Sequence, residues 1–162
     1  KAESGNTKGA IADYTKAIEL VPKDAWAYVY RGIAYNDKKE YDLAIADFIK
    51  VIELDPKAGW AYNARGIAYR NKKEYDKAIA DYTKSIELHP QAAWSYSNRG
   101  NVYYDRKEYD LAIADYTKAI EIDPKNAQAY INRADAYEAK GEKMLANKDR
   151  QKAKELEGQP SN

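Results

Sequence analysis

Pro22, Pro56, Pro90 and Pro124 stand 34 residues apart, and each closes a copy of one phrase: AIADYTKAIELVP from Ala10, AIADFIKVIELDP from Ala44, AIADYTKSIELHP from Ala78 and AIADYTKAIEIDP from Ala112. A fixed period of this size marks units that cannot each bury a core alone and must stack to share one. A second phrase precedes the later copies: WAYVYRGIAY from Trp26, WAYNARGIAY from Trp60, WSYSNRGNVY from Trp94 and QAYINRADAY from Gln128. Its Tyr, Ala and Gly recur at three- and four-residue spacings. After a polar break such as NDKK, the residues Tyr41, Ala44, Ile45, Phe48 and Ile52 repeat that spacing. The pattern predicts two amphipathic helices per unit. First helices are expected near 26–38, 60–72, 94–106 and 128–140, and second helices near 41–54, 75–88, 109–122 and 143–156. Proline ends each second helix, because it cannot donate into the hydrogen-bond ladder and disfavours helical geometry in the residue before it. Residues 9–21 make a second helix whose first-helix partner is missing from the sequence.

These residues resemble the tetratricopeptide repeat (TPR) family over essentially the whole chain. Tyr28, Gly32, Tyr35, Ala44, Phe48 and Pro56 match its signature, as do Tyr62, Gly66, Tyr69, Ala78, Tyr82 and Pro90, and then Tyr96, Gly100, Tyr103, Ala112, Tyr116 and Pro124. The resemblance implies an all-α fold, a right-handed superhelical solenoid of antiparallel helix pairs. The expected organisation is a truncated repeat over 1–24, repeats over 25–58, 59–92 and 93–126, and a C-terminal repeat with a solvating helix over 127–162. Two departures stand out. The family's usual Leu is Arg31, Arg65, Arg99 and Arg133, and Trp sits two residues ahead of the expected aromatic register.

A helical wheel at about 100° per residue separates two sides of a first helix. Between the copies at Trp26 and Trp60, Tyr, Arg and Gly do not change, whereas Val29 becomes Asn63, Tyr30 becomes Ala64, Asn36 becomes Arg70 and Asp37 becomes Asn71. The unchanging side is core. There Gly32, Gly66 and Gly100 admit a close helix approach, and tyrosines supply area with a hydroxyl at the rim. A lone buried guanidinium is costly unless paired, and every second helix carries an Asp at one flank of its apolar face: Asp13, Asp47, Asp81, Asp115 and Asp149. An Arg–Asp ladder between helices follows, with Asp47 and Asp81 both open as partners of Arg65; the alternative is that the arginines line an anion-binding groove.

The family resemblance implies that first helices line a concave face where partner peptides lie. Carried over by register, that face holds Trp26, Val29, Tyr30, Ile33 and Asn36; Trp60, Asn63, Ile67 and Arg70; Trp94, Ser97, Asn98, Asn101 and Tyr104; and Gln128, Ile131, Asn132, Asp135 and Glu138. Aromatic and aliphatic residues interleaved with Asn suit an extended peptide, with apolar anchors in pockets and carboxamides on its backbone. Each Trp serves equally well to cover the junction with the preceding repeat. The N-terminal part of this set is apolar, and the part holding Asn98, Asn101, Asn132 and Asp135 is polar. The lysine-bearing register through which some family members clamp acidic C-terminal tails holds Val29, Asn63, Ser97 and Ile131, so no such clamp is expected.

Other chemistry finds little support. The 27 Lys and Arg nearly cancel the 26 Asp and Glu, and the two signs interleave without a basic stripe, so neither nucleic acid nor an anionic membrane is favoured. No apolar run approaches the roughly 20 residues of a membrane span. With no Cys, a lone His89 at a turn, no glycine-rich phosphate loop and no nucleophile–base spacing, neither an enzyme, a cofactor nor a metal is expected. The expectation is a soluble, cytoplasmic scaffold that binds a protein or peptide, the alternative being a homodimer through the exposed N-terminal helix. Lys1 reads as a processed or internal end, and Asn147, Arg150 and Lys154, in registers held elsewhere by Ile, Tyr and Ile, as a solvating cap.

Overall fold

A computed structural model describes residues 3–158, with side chains from residue 7. The described residues fold into nine helices: α1 (Glu3–Leu20), α2 (Ala25–Asp37), α3 (Tyr41–Leu54), α4 (Gly59–Asn71), α5 (Tyr75–Leu88), α6 (Ala93–Asp105), α7 (Tyr109–Ile122), α8 (Ala127–Ala139) and α9 (Lys143–Glu157). They divide into two compact units. One runs to Leu88 and holds α1 to α5; the other starts at His89 and holds α6 to α9.

The turn inside each repeat is built identically four times. Lys39, Lys73 and Lys107 have φ of 62°, 64° and 63°, and Gly141 has 82°. This left-handed residue follows the helix cap, and two backbone bonds close the motif, as when Lys39 N–H donates to the Asn36 carbonyl and Glu40 N–H to that of Tyr35, both at 2.9 Å. The three-residue connection turns the chain back, so the two helices of a repeat lie antiparallel and pack along their length. Between repeats, Asp24 accepts from the N–H of Trp26 and Ala27 at 3.0 and 3.4 Å, and Asn126 caps α8 by accepting from Ala129 at 3.2 Å.

Close approach explains the glycines. A Cβ on Gly66 would sit 2.8 Å from Cε1 of Tyr82, and one on Gly100 would sit 2.8 Å from the same atom of Tyr116. Phe48 lies against Gly32 in the same way. In the last repeat the large ring is replaced by Arg150, and the glycine by Ala134, which is fully buried. The core is otherwise small and apolar: Val29, Val51, Ala58 and Ala61 form one cluster at the junction of two repeats, and Ala44, Ile45, Phe48 and Ala68 another.

Each repeat also closes a charged clasp. Arg31 binds Asp47, Arg65 binds Asp81, Arg99 binds Asp115 and Arg133 binds Asp149, each through two N–H···O bonds of 2.7–2.9 Å. Of the two partners open to Arg65, the structure selects Asp81, sixteen residues on and inside the same repeat. Tyrosine rings flank every guanidinium, Tyr62 and Tyr69 standing 5.7 and 5.9 Å from Arg65. The hydrogen bonds to Asp81 hold the Arg65 guanidinium above its ordinary range, against a desolvation that works the other way. Each guanidinium thus has its charge met inside its own repeat, and Arg133 also lines an open cavity with Tyr130, Lys148 and Lys152.

Candidate functional site

The N-terminal unit carries a stacked column of rings on α1, α2 and α4. Tyr14 of α1 meets Tyr30 of α2 at 5.6 Å, Tyr30 meets Trp26 at 6.0 Å, and Trp26 meets Trp60 of α4 at 5.5 Å with the two planes only 3° apart. Trp26 nevertheless stays 59% exposed, and Tyr30, Ile33 and Trp60 are exposed with it. The tryptophans therefore do both things open to them: they cover the junction between repeats and keep a surface in water. Beside the column, Thr7, Ala10, Tyr14, Tyr30, Ile33 and Asp37 line a shallow cavity of about 370 Å³. Tyr14 was not among the residues singled out by register, since it lies on a second helix. The signal available was its place in the Phe48 and Tyr82 register on a helix with one uncovered side.

Val29 does not belong to this face. It is only 5% exposed and packs against Val51, Ala58 and Ala61, because the following turn and α4 fold over it. A wheel of one helix contains no neighbour to cover that side. Asn36, Asn63, Ile67 and Arg70 are half-buried along the same helices. Asn36 already accepts a hydrogen bond from Asn71 at 3.1 Å, which ties α2 to α4 rather than leaving a free carboxamide.

In the C-terminal unit the corresponding face is polar and partly self-satisfied. Asn101 accepts from the Tyr116 hydroxyl at 2.8 Å and from Asn132 at 3.1 Å, and Asn132 accepts from Gln128 at 2.7 Å. The outward-facing remainder of this chain is mostly amide N–H. Asp135 is bound by Arg150 at 3.0 Å, and Glu138 pairs with the same guanidinium. Arg150 is thus a partner of the face, not merely a solvated cap residue. Tyr104 packs on Tyr109 at 5.5 Å, and burial, then the Asp135 carboxylate, pushes its hydroxyl above the ordinary tyrosine range. Trp94 is exposed and Asn98 half-buried, whereas the Ser97 hydroxyl oxygen is shut away from solvent and offers nothing to a ligand. Among the described residues no cluster of His, Asp and Glu could hold a metal, and no helix is long and apolar enough to cross a membrane.

Family models agree with the period. A TPR repeat model matches residues 2–38 and 100–141, and tetratricopeptide repeat models match 25–58, 59–91 and 81–114. The chain belongs to the tetratricopeptide repeat family. Among solved structures, this tetratricopeptide array is similar to a crystal structure of MamA at 33% identity, covering 97% of this chain and 92% of that one with a TM-score of 0.83. It shares its fold with MamA from Desulfovibrio magneticus RS-1, at 22% identity, 99% and 91% coverage and a TM-score of 0.84. It also shares it with YrrB, described as a TPR protein with an unusual peptide-binding site, at 23% identity, 96% and 80% coverage and a TM-score of 0.72. No curated protein sequence matches significantly.

Proposed function

We propose that this chain is a non-catalytic protein-interaction scaffold that holds a segment of a partner protein against its first helices. The observation that carries the reading is the column Tyr14–Tyr30–Trp26–Trp60, because a chain this polar has no packing reason to leave Trp26 mostly in water. Rings held rigid by one another lose little entropy on binding and present large apolar area, the properties of anchor residues at interfaces. The partner segment accordingly carries bulky apolar side chains for α2 and α4. The amide N–H groups of Asn101, Asn132 and Gln128 suit backbone carbonyls of an extended segment on α6 and α8. The peptide-binding relative YrrB supports the same direction.

A peptide-library screen on the wild type, repeated on three variants, tests the reading. Tyr30→Ala and Trp60→Ala are expected to weaken the hits by about 1–3 kcal/mol each, and Lys50→Ala, on an exposed part of α3, to leave them unchanged. Equal binding by all three would place the ligand elsewhere. A second reading, self-association through α1, is favoured by the exposed Leu20 and Val21; a mass that stays monomeric in sedimentation across a wide concentration range removes it.

A further inference from the structure

Within the C-terminal unit, α8 and α9 border a cavity of about 420 Å³, lined chiefly by Tyr130 and Arg133 of α8 and by Lys148, Asp149, Lys152 and Glu155 of α9. The spacing of Lys148, Lys152 and Glu155 sets them on one stripe of the helix. In α7 the same registers hold Ala114, Lys118 and Glu121. All three are exposed although α8 follows α7 and packs on it, so a neighbouring repeat leaves this stripe open. The arginines agree: Arg99 and Arg133 keep 18% and 16% of their side-chain exposure. Gln151, which also borders the cavity, differs in kind, since its counterpart Thr117 accepts from Arg133 at 3.0 Å. The charge of the cavity does not depend on it.

Lys148 sets this cavity apart. Its counterparts Ala46, Ala80 and Ala114 bring no charge, and the other ions of the set are balanced: Arg133 by Asp149 through two hydrogen bonds, and Lys152 by Glu155 at 3.3 Å. Lys148 is exposed, and no hydrogen bond or ion pair of it forms among the described residues. The cavity therefore carries one positive charge in excess. Fixed donors accompany that charge. Of the five N–H groups of a guanidinium, Arg133 spends two on Asp149 and one on Thr117, which leaves two. The clasp and the rings of Tyr130 and Tyr137, at 5.7 and 5.8 Å, hold those two in place before any ligand arrives. One excess charge beside oriented N–H groups suits a monoanion that accepts hydrogen bonds. A phosphate dianion would exceed that charge and face the carboxylates of Asp149 and Glu155.

We propose that this cavity binds a carboxylate, with Lys148 forming the ion pair and the remaining N–H groups of Arg133 orienting the ligand. The carboxylate belongs to an Asp or Glu side chain of a partner segment or to a small organic acid, for which the volume is sufficient. The site uses none of Trp94, Asn101 and Asn132, so it stands whether or not those residues hold a partner segment.

The test titrates the isotopically labelled full chain with benzoate, with the capped peptide acetyl-Ala-Glu-Ala-amide and with inorganic phosphate, following backbone amide and arginine Nε–H signals by NMR. At least one of the two carboxylates is expected to give saturable shifts centred on Lys148, Lys152 and the Arg133 Nε–H, and the tighter of them names the source. Lys148→Ala, which installs the residue found at this register in α3, α5 and α7, should weaken that binding by about three- to fivefold. Lys148→Arg should retain it, and Lys118→Ala, which removes an exposed lysine of α7, should leave it unchanged. The proposal is overturned by the absence of saturable shifts with both carboxylates, by tighter binding of phosphate than of either, or by an equal loss with Lys118→Ala, which would mark general attraction to surface lysines.

Discussion

Replacing Arg65 by Leu restores the family's usual residue and, in this chain, should be among its most damaging single changes. The guanidinium binds Asp81 at 2.8 and 2.7 Å, and the two side chains retain only 20% and 8% of their exposure. Removing one side strands a buried carboxylate, for which about 3–5 kcal/mol is the general cost; the partial exposure of Arg65 argues for the lower end, about 3. In a domain of this size, ~3 kcal/mol lowers the thermal midpoint by roughly 6–12 °C. Asp81→Leu should cost about 2 kcal/mol, since an unpaired guanidinium at the rim can still reach water. The double variant Arg65→Leu with Asp81→Leu removes both charges and forfeits mainly the contacts with Tyr62 and Tyr69, about 1–2 kcal/mol together. The cycle therefore closes with a coupling of about 3 kcal/mol. Asp47 serves as the control, because it belongs to Arg31, and its cycle with Arg65 should be additive to within about 0.5 kcal/mol. Urea and thermal melts followed by circular dichroism measure all of these. Strict additivity with Asp81, or equal coupling to Asp47, would refute the assignment of the clasp to single repeats.

Three further outcomes follow from the same geometry. Gly66→Ala drives a methyl to 2.8 Å from the Tyr82 ring and should destabilise by about 1–3 kcal/mol in the same melts, whereas Ala134→Gly, where no ring lies opposite, should cost only about 0.5–1 kcal/mol through helix propensity. Lys73→Gly relieves a side chain at φ 64° and should stabilise by about 0.5–1 kcal/mol, the fourth repeat already carrying Gly141 there. Calorimetry with acidic C-terminal tail peptides should show no heat of binding, because Val29 and Asn63 hold the register where a clamp requires lysine; micromolar affinity would contradict that.

The helices were legible in the sequence because period and proline each constrain them separately. The helices from Ala25–Asp37 to Lys143–Glu157 fall within one residue of their expected ends, whereas the one expected over 9–21 runs from Glu3 to Leu20. The Arg–Asp relation was legible as a repeated coincidence, but its direction was not: a wheel cannot tell whether Arg65 reaches back to Asp47 or forward to Asp81. The face was read less well. Val29 varies between repeats because the neighbours that bury it vary too, so variation alone mistook a junction residue for a free one. Asn36, Asn101 and Asn132 looked like spare hydrogen-bonding capacity, and much of it is spent on other side chains of the array. Asp135 and Arg150 changed together from Asn101 and Tyr116, a pairing that can be recognised only when the two helices are laid side by side.

Because each clasp closes inside its own repeat, a 34-residue segment copied or deleted as a block brings or removes equal and opposite buried charge. Had Arg65 bound Asp47, the counter-charge of every unit would sit in its neighbour, and the first and last units of an array would each hold a buried ion without a partner. With the charge balanced locally, every unit meets its own buried charge, whether it stands inside the array or at its edge.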